Sequence, residues 1–240
     1  MKNKFTIIYE DEDILVLDKA SGELTIPDRF KPEQFNLYNY LEGKYGKIFT
    51  VHRLDRETSG LLVFAKTEAA HKSLSQQFED RTVEKIYKVL VEGVMYDMEG
   101  SIDKPIAKHP SKAGQMTVSS KGKPSLTLYK VVEHFKNYTL AEADIKTGRT
   151  HQIRVHFKSI GYPLAVDSVY GRSDVFLLSK VKKKYNFGKE EEERPMMSRT
   201  SLHAARLVLD HPVSGHRMTF ESELPKDFGA VVKQLQKWGK

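Results

Sequence analysis

Short β-type runs joined by brief polar turns constrain this chain more than any other feature. Within residues 5–17, FTIIY and ILVLD are split only by Glu10-Asp11-Glu12-Asp13, the pattern of an antiparallel strand pair. Residues 126–135 and Tyr138–Ile145 flank Lys136-Asn137 in the same way, and Leu202–Asp210 and Arg217–Glu221 flank the turn HPVSGH, giving two further hairpins. Residues 60–65, GLLVFA, form a continuous apolar run of strand length, which suits a strand buried on both faces. Residues 84–91 alternate, with Tyr87, Val89 and Val91 on one face and Ile86 and Leu90 on the other.

Helical stripes are few. Thr67 is placed to N-cap a helix reaching about Phe78, with Ala70, Leu74 and Phe78 on one side. Ile153, Phe157 and Ile160 predict a helix over 150–160, with Thr150 as N-cap and Gly161 just past its end. His151, Arg154 and Lys158 would form a basic stripe beside the apolar one. Phe228, Val231, Val232, Leu235 and Trp238 predict a C-terminal helix with a core-facing stripe.

The sum is an α+β fold, a mixed and largely antiparallel sheet flanked by helices and loops. No repeat or Gly/Ser linker divides the chain, so one domain is expected over residues 1–240. An exposed insertion is expected at about 172–195, where a basic run (Lys180 to Lys184) precedes four consecutive glutamates (Glu190 to Glu193).

Lys and Arg total 39 against 32 Asp and Glu, a net charge of +7, and the pI of about 9.3 favours a polyanionic partner. The absence of cysteine excludes a disulfide scaffold, a thiolate metal site and a cysteine nucleophile. No apolar run reaches the ~20 residues that span a bilayer, and the acidic N-terminal stretch is no signal peptide. A soluble cytoplasmic protein is expected. Gly-rich phosphate loops, His-Glu-x-x-His and Gly-x-Ser-x-Gly are all missing. The nine histidines, His151 with His156 and His203, His211 and His216 included, match no ligand spacing. No metal site is expected.

Residues 51–66 carry the densest chemistry. Asp55 stands between Arg53 and Arg56 in a charged loop that feeds the apolar run. Such a carboxylate could merely cap local amides, yet loops held by a rigid strand are also where catalytic groups sit. The run His52-Arg53-Leu54-Asp55-x-x-Thr58-Ser59-Gly60-Leu61-Leu62 resembles the signature of the RluA family of RNA pseudouridine synthases. Lys85-x-Tyr87 with Val91-x-Gly93 is similar to that family's second motif, and Gly148-Arg149-Thr150-His151-Gln152-Ile153-Arg154-Val155-His156 to its third. Leu202-His203-Ala204 and the following hairpin resemble its C-terminal portion. The chain departs from the pattern in Lys19-Ala20-Ser21-Gly22, where a proline is usual after the lysine. It departs again in Pro163-Leu164-Ala165-Val166-Asp167, where Val166 replaces a glycine.

The resemblance implies a pseudouridine synthase-type fold with a central catalytic cleft. It implies isomerisation of uridine in rRNA, tRNA or both, with 23S rRNA among the family's targets. Many relatives carry an N-terminal S4 RNA-binding domain, whereas a stand-alone catalytic domain without one is expected here. Breaking N1–C1′, turning the base and rejoining it through C5 consumes neither water nor reductant, so no cofactor or metal is implied. Asp55 would attack C1′ or take the C2′ proton. Arg154 would pair with that carboxylate through its planar fork, and Tyr87 would stack on the target uracil, which must leave its own stack. Arg53 would fill the vacated space or hold a phosphate. Arg56, Arg149 and His151 complete the implied RNA contacts, the last two at a helix start that favours phosphate. A monomer needing no protein partner and no membrane is expected. Two other classes compete. A non-catalytic RNA-binding protein would have little use for Asp55, and a metal-dependent nuclease would need clustered carboxylates, for which Asp11 to Asp13 is the densest candidate outside residues 190–193.

Overall fold

The computed structural model describes residues 4–183, 185 and 192–239. Lys184, Glu190 and Glu191 of the two charged runs lie outside the described residues. In chain order the elements are β1 (Phe5–Glu10), β2 (Ile14–Lys19), α1 (Leu37–Tyr45), β3 (Phe49–Thr50), β4 (Ser59–Ala65), α2 (Glu68–Glu79), β5 (Glu84–Glu92), β6 (Glu99–Asp103), β7 (Ile106–Lys108), β8 (Met116–Val118), β9 (Leu126–His134), β10 (Tyr138–Ile145), α3 (Gln152–Ser159), β11 (Leu202–Asp210), β12 (Arg217–Glu221) and α4 (Lys226–Trp238). The architecture is α+β with a mixed, mostly antiparallel sheet, as the hairpin spacing predicts. Among the described residues no helix is long and apolar enough to cross a membrane.

The chain forms two compact units. One comprises Met1–Ile86 and His203–Glu223, the other Tyr87–Leu202 and Leu224–Lys240. In the first unit the strand order is β1-β2-β4-β11, with β3 on β4 and β12 on β11. All pairings are antiparallel except β11 with β4, which is parallel. Every residue of β4 is buried. Leu61, Val63 and Ala65 pack with Ile14, Val16 and the α2 residues Ala70 and Leu74, and the alternate residues Leu62 and Phe64 point to the opposite face. A run with both faces covered has no need to alternate, which is why the sequence there is uniformly apolar. Thr67 caps α2 as the sequence predicts, its Oγ1 accepting the Ala70 N–H at 3.1 Å, worth ~1 kcal/mol.

In the second unit the order is β5-β10-β9-β6, with β7 and β8 as a separate antiparallel pair. Its core joins Leu90, Tyr138, Leu140 and Val166 to the α4 residues Phe228, Val231 and Leu235. Each fully buried side chain of that size stabilises by ~1.5–3 kcal/mol. Phe176 and Met197 belong to the same core and are joined by an antiparallel bridge. Two expectations need correction. Trp238 does not end the core stripe but is 41% exposed, because the helix outlasts the core beneath it. Helix α3 begins at Gln152, and Thr150 is not its N-cap.

Candidate active site

In the first unit the sequence places Arg53, Asp55 and Arg56 on one loop, and several anchors fix that loop. The His52 ring stacks on Phe78 at 4.7 Å, and its Nε2 accepts the Val63 N–H. Burial, and then the charge of Lys85, lower the His52 pKa to about 3. The ring is therefore neutral and can accept that bond. Leu54 is buried, and Thr25 Oγ1 donates to its carbonyl and accepts from its amide. The Asp55 carbonyl closes a turn with the Thr58 N–H at 3.1 Å. Asp55 itself is half-buried between the exposed Arg53 and Arg56.

On the far side of the turn, the Arg56 carbonyl accepts from the Gly22 N–H and from Lys19 Nζ. Lys19 is fully buried, and its ammonium also donates to the carbonyls of Ala20 and Glu23. Three carbonyl dipoles compensate a cation that burial alone would penalise heavily. The missing proline at Ala20 also has a local account: the Ala20 N–H donates to Lys4 O at 2.9 Å, a bond proline cannot make. Gly60 sits where β4 meets β11. Its φ is +113°, and an added Cβ would lie 2.2 Å from Ala204 O. Beside it, Ser59 Oγ lies 3.0 Å from His203 Nδ1.

The second unit holds Tyr87, Arg149, His151 and Arg154. Tyr87 lies on β5 and is only 7% exposed, while neighbouring Lys88 pairs with Glu142 at 2.7 Å. At the start of α3, His151 takes a left-handed conformation, φ 56°. No side chain caps α3; Gln152, its first residue, instead ties the loop ahead of the helix, its Oε1 accepting from the Arg149 N–H and the Thr147 hydroxyl. Arg149 reaches back with Nε to Pro124 O. His151 Nδ1 lies 2.8 Å from the Tyr170 hydroxyl.

Arg154 is not part of a solvent-facing basic stripe with Lys158. It is buried, and its guanidinium grips Asp167 in a bidentate pair, Nε to Oδ2 at 2.7 Å and Nη2 to Oδ1 at 2.8 Å. The Tyr170 ring centroid is 4.9 Å from the guanidinium carbon. Burial pushes the Asp167 carboxyl up. Arg154's hydrogen bonds and charge, with the Tyr170 and Val169 amides, more than offset this and hold it below the ordinary carboxylate value. Asp167 is the partner of Arg154 that sequence reasoning missed, because it stands 13 positions on in the chain.

Among the described residues one cluster could hold a metal ion: Asp11, Asp13 and His211 present ligand atoms within 4.8 Å of one another. Protein groups already engage Asp11. Its Oδ1 accepts from the Asp13 and Ile14 amides, and its Oδ2 meets the Tyr9 hydroxyl and His211 Nε2. The donor set reads as a clamp between two turns.

Comparison with known proteins agrees with these observations. Residues 13–159 match the family described as RNA pseudouridylate synthase. The chain is 42% identical over 236 residues to the ribosomal large subunit pseudouridine synthase D of Pseudomonas aeruginosa, covering 96% of this chain and 71% of that protein. It is 40% identical over 241 residues to an uncharacterized RNA pseudouridine synthase of Aquifex aeolicus, covering 96% and 72%. Among solved structures it resembles human RNA pseudouridylate synthase domain containing 1, with a TM-score of 0.69 and 25% identity over 97% of this chain and 94% of that one. A motif loop anchored at both ends, a buried arginine in the third motif and similarity spanning nearly the whole chain converge: this chain belongs to the RluA family of RNA pseudouridine synthases and is an isomerase of that class.

Proposed function

We propose that the chain isomerises uridine to pseudouridine in large-subunit ribosomal RNA, with Asp55 as the acting carboxylate and without a cofactor. The observation that carries the substrate is the 42% identity, over 96% of the chain, to a protein named for the ribosomal large subunit. Asp55 is supported by its place in the first motif, on a loop whose two ends are held by Thr25 and Lys19. Holding a carboxylate in place before substrate arrives removes part of the entropic cost of reaction. The glycosidic N1–C1′ bond breaks, the base turns, and C5 bonds to C1′. C5 then loses its proton and N1 gains one. Asp55 serves by bonding to C1′ or by taking the C2′ proton, and both roles need its ionised form. Tyr87 is assigned to the uracil face and Arg154 to the carboxylate through the family motifs that contain them. Arg53, Arg56, Arg149 and His151 are assigned to the RNA strand.

The test incubates the purified chain with unmodified in vitro transcripts of large-subunit rRNA and of tRNA, with EDTA present, and maps pseudouridine. Pseudouridine at defined rRNA positions is expected. Modification of tRNA alone would overturn the substrate, and dependence on added metal would overturn the cofactor-free mechanism.

A further inference from the structure

The β7–β8 hairpin of the second unit borders a groove of about 460 Å³. Four cations line it (Lys108, Lys121, Lys123 and Arg149) and no carboxylate does. Among the described residues none of the four is in an ion pair. Elsewhere in the same unit lysines do find acids, as in Lys88–Glu142 and Lys146–Asp144. Unpaired like charges facing one groove repel one another, and the arrangement costs stability unless a polyanion relieves it.

The groove is a built feature. Ile106 and Lys123 exchange two backbone hydrogen bonds, 3.0 and 2.8 Å, and the Gly122 N–H closes the turn on Ser119 O. Gly122 lies so close to β7 that an added Cβ would be 2.5 Å from the Ile106 carbonyl carbon. A tight, hydrogen-bonded turn thus fixes the backbone carrying Lys121 and Lys123. Arg149 enters from the loop ahead of α3. Among the described residues its guanidinium is hydrogen-bonded only through Nε, to Pro124 O, so its terminal nitrogens remain for a ligand.

We propose that this groove holds consecutive backbone phosphates of the RNA substrate outside the target nucleotide. The inference rests on the reading of the chain as an RNA-modifying enzyme and extends it to Lys108, Lys121 and Lys123. Arg149 ties the groove to the third motif, so a strand lying there leads along the loop that continues into α3. Point-charge lysines on an open surface suit phosphates irrespective of base sequence, so the groove contributes affinity and register.

The experiment measures binding of an in vitro large-subunit rRNA transcript across a potassium chloride series, with pseudouridine formation read on the same samples. The Lys108/Lys121/Lys123→Gln variant is expected to lower the log–log salt slope by about 2–2.7, at ~0.7–0.9 per lost phosphate contact. Affinity near ~0.15 M salt falls by about tenfold or more, and the loss appears in KM. Lys123→Gln alone lowers the slope by ~0.7–0.9 and decides the matter should the triple variant melt early. A control, Lys72/Lys130/Lys233→Gln, removes equal charge from exposed lysines outside the groove and keeps the wild-type slope. A triple variant with wild-type slope and affinity overturns the groove. If wild type binds with the expected slope difference yet makes no pseudouridine, the groove stands and the proposed substrate is wrong.

Discussion

Replacing Arg154 by alanine should reverse the sign of one pH effect. Asp167 is 1% exposed, and without the guanidinium its carboxylate keeps only the Val169 and Tyr170 amides, each at 2.9 Å. Breaking a buried pair costs ~3–5 kcal/mol, against a total stability of ~5–15 kcal/mol for a typical fold. At ~2–4 °C per kcal/mol for a chain of this size, the melting temperature at neutral pH falls by ~6–20 °C. In the wild type the Asp167 pKa is lowered on folding. The pair's stabilisation is therefore complete above the unfolded value of ~3.9 and is lost as pH falls through the folded one. In Arg154→Ala burial dominates and the folded pKa is raised. Above ~3.9 the folded state then binds the extra proton, so the variant gains stability relative to the wild type as pH falls from neutral. Arg154→Ala/Asp167→Asn should recover part of the loss, which isolates the coupling. Urea titrations from pH 7 to pH 4 on all three proteins check this. A single variant melting within about a degree of wild type, or one that gains nothing on the wild type as pH falls to ~4, would refute the reasoning.

Three further outcomes are expected. Asp55→Asn should retain the wild-type melt and RNA affinity within a few-fold yet make no pseudouridine; residual turnover above about one percent would remove Asp55 from the chemistry. The His52 ring, with its pKa near about 3, should stay neutral by ¹⁵N NMR down to about pH 4. Between ~6.5 and that value only the unfolded chain takes up the proton, so His52 costs stability as pH falls, up to ~1.4 kcal/mol per unit; a titration near 6.5 would contradict this. Gly60→Ala combines left-handed backbone strain with a clash on Ala204 O and should cost about 2–6 kcal/mol by chemical denaturation; a loss under about 1 kcal/mol would show that the β4–β11 junction yields.

The strands were legible because burial leaves a local mark. Residues 60–65 are apolar throughout because β4 is covered on both faces, and the three hairpins announce themselves in two to six polar residues between runs. Thr67 was legible as a cap for the same local reason. The start of α3 was not, since a left-handed His151 opens the helix without any side-chain cap, an arrangement that periodicity does not encode. Arg154 was marked by its motif, but its partner stands 13 positions on, in a loop, and only tertiary packing brings them together. Trp238 continued an apolar stripe, and nothing local says where the core beneath a helix ends. Asp11 and His211 are 200 positions apart, beyond any spacing rule.

The parallel pairing of β4 with β11 sets an order of events during synthesis. Ser59 and His203 touch across 144 positions, and the unit containing Asp55 takes its last piece, His203–Glu223, after the whole of Tyr87–Leu202. As the chain emerges from the ribosome, β2 and β3 can join β4 early, but the strand leading out of the Asp55 loop keeps an open edge until β11 arrives. Closing so long a loop is slow, and an apolar strand with a bare edge invites wrong partners meanwhile. Refolding from denaturant should therefore show Asp55's unit forming last, and a nascent chain stalled before residue 203 should contain every residue of the Asp55 loop and its anchors while the β4 edge beside it stays bare.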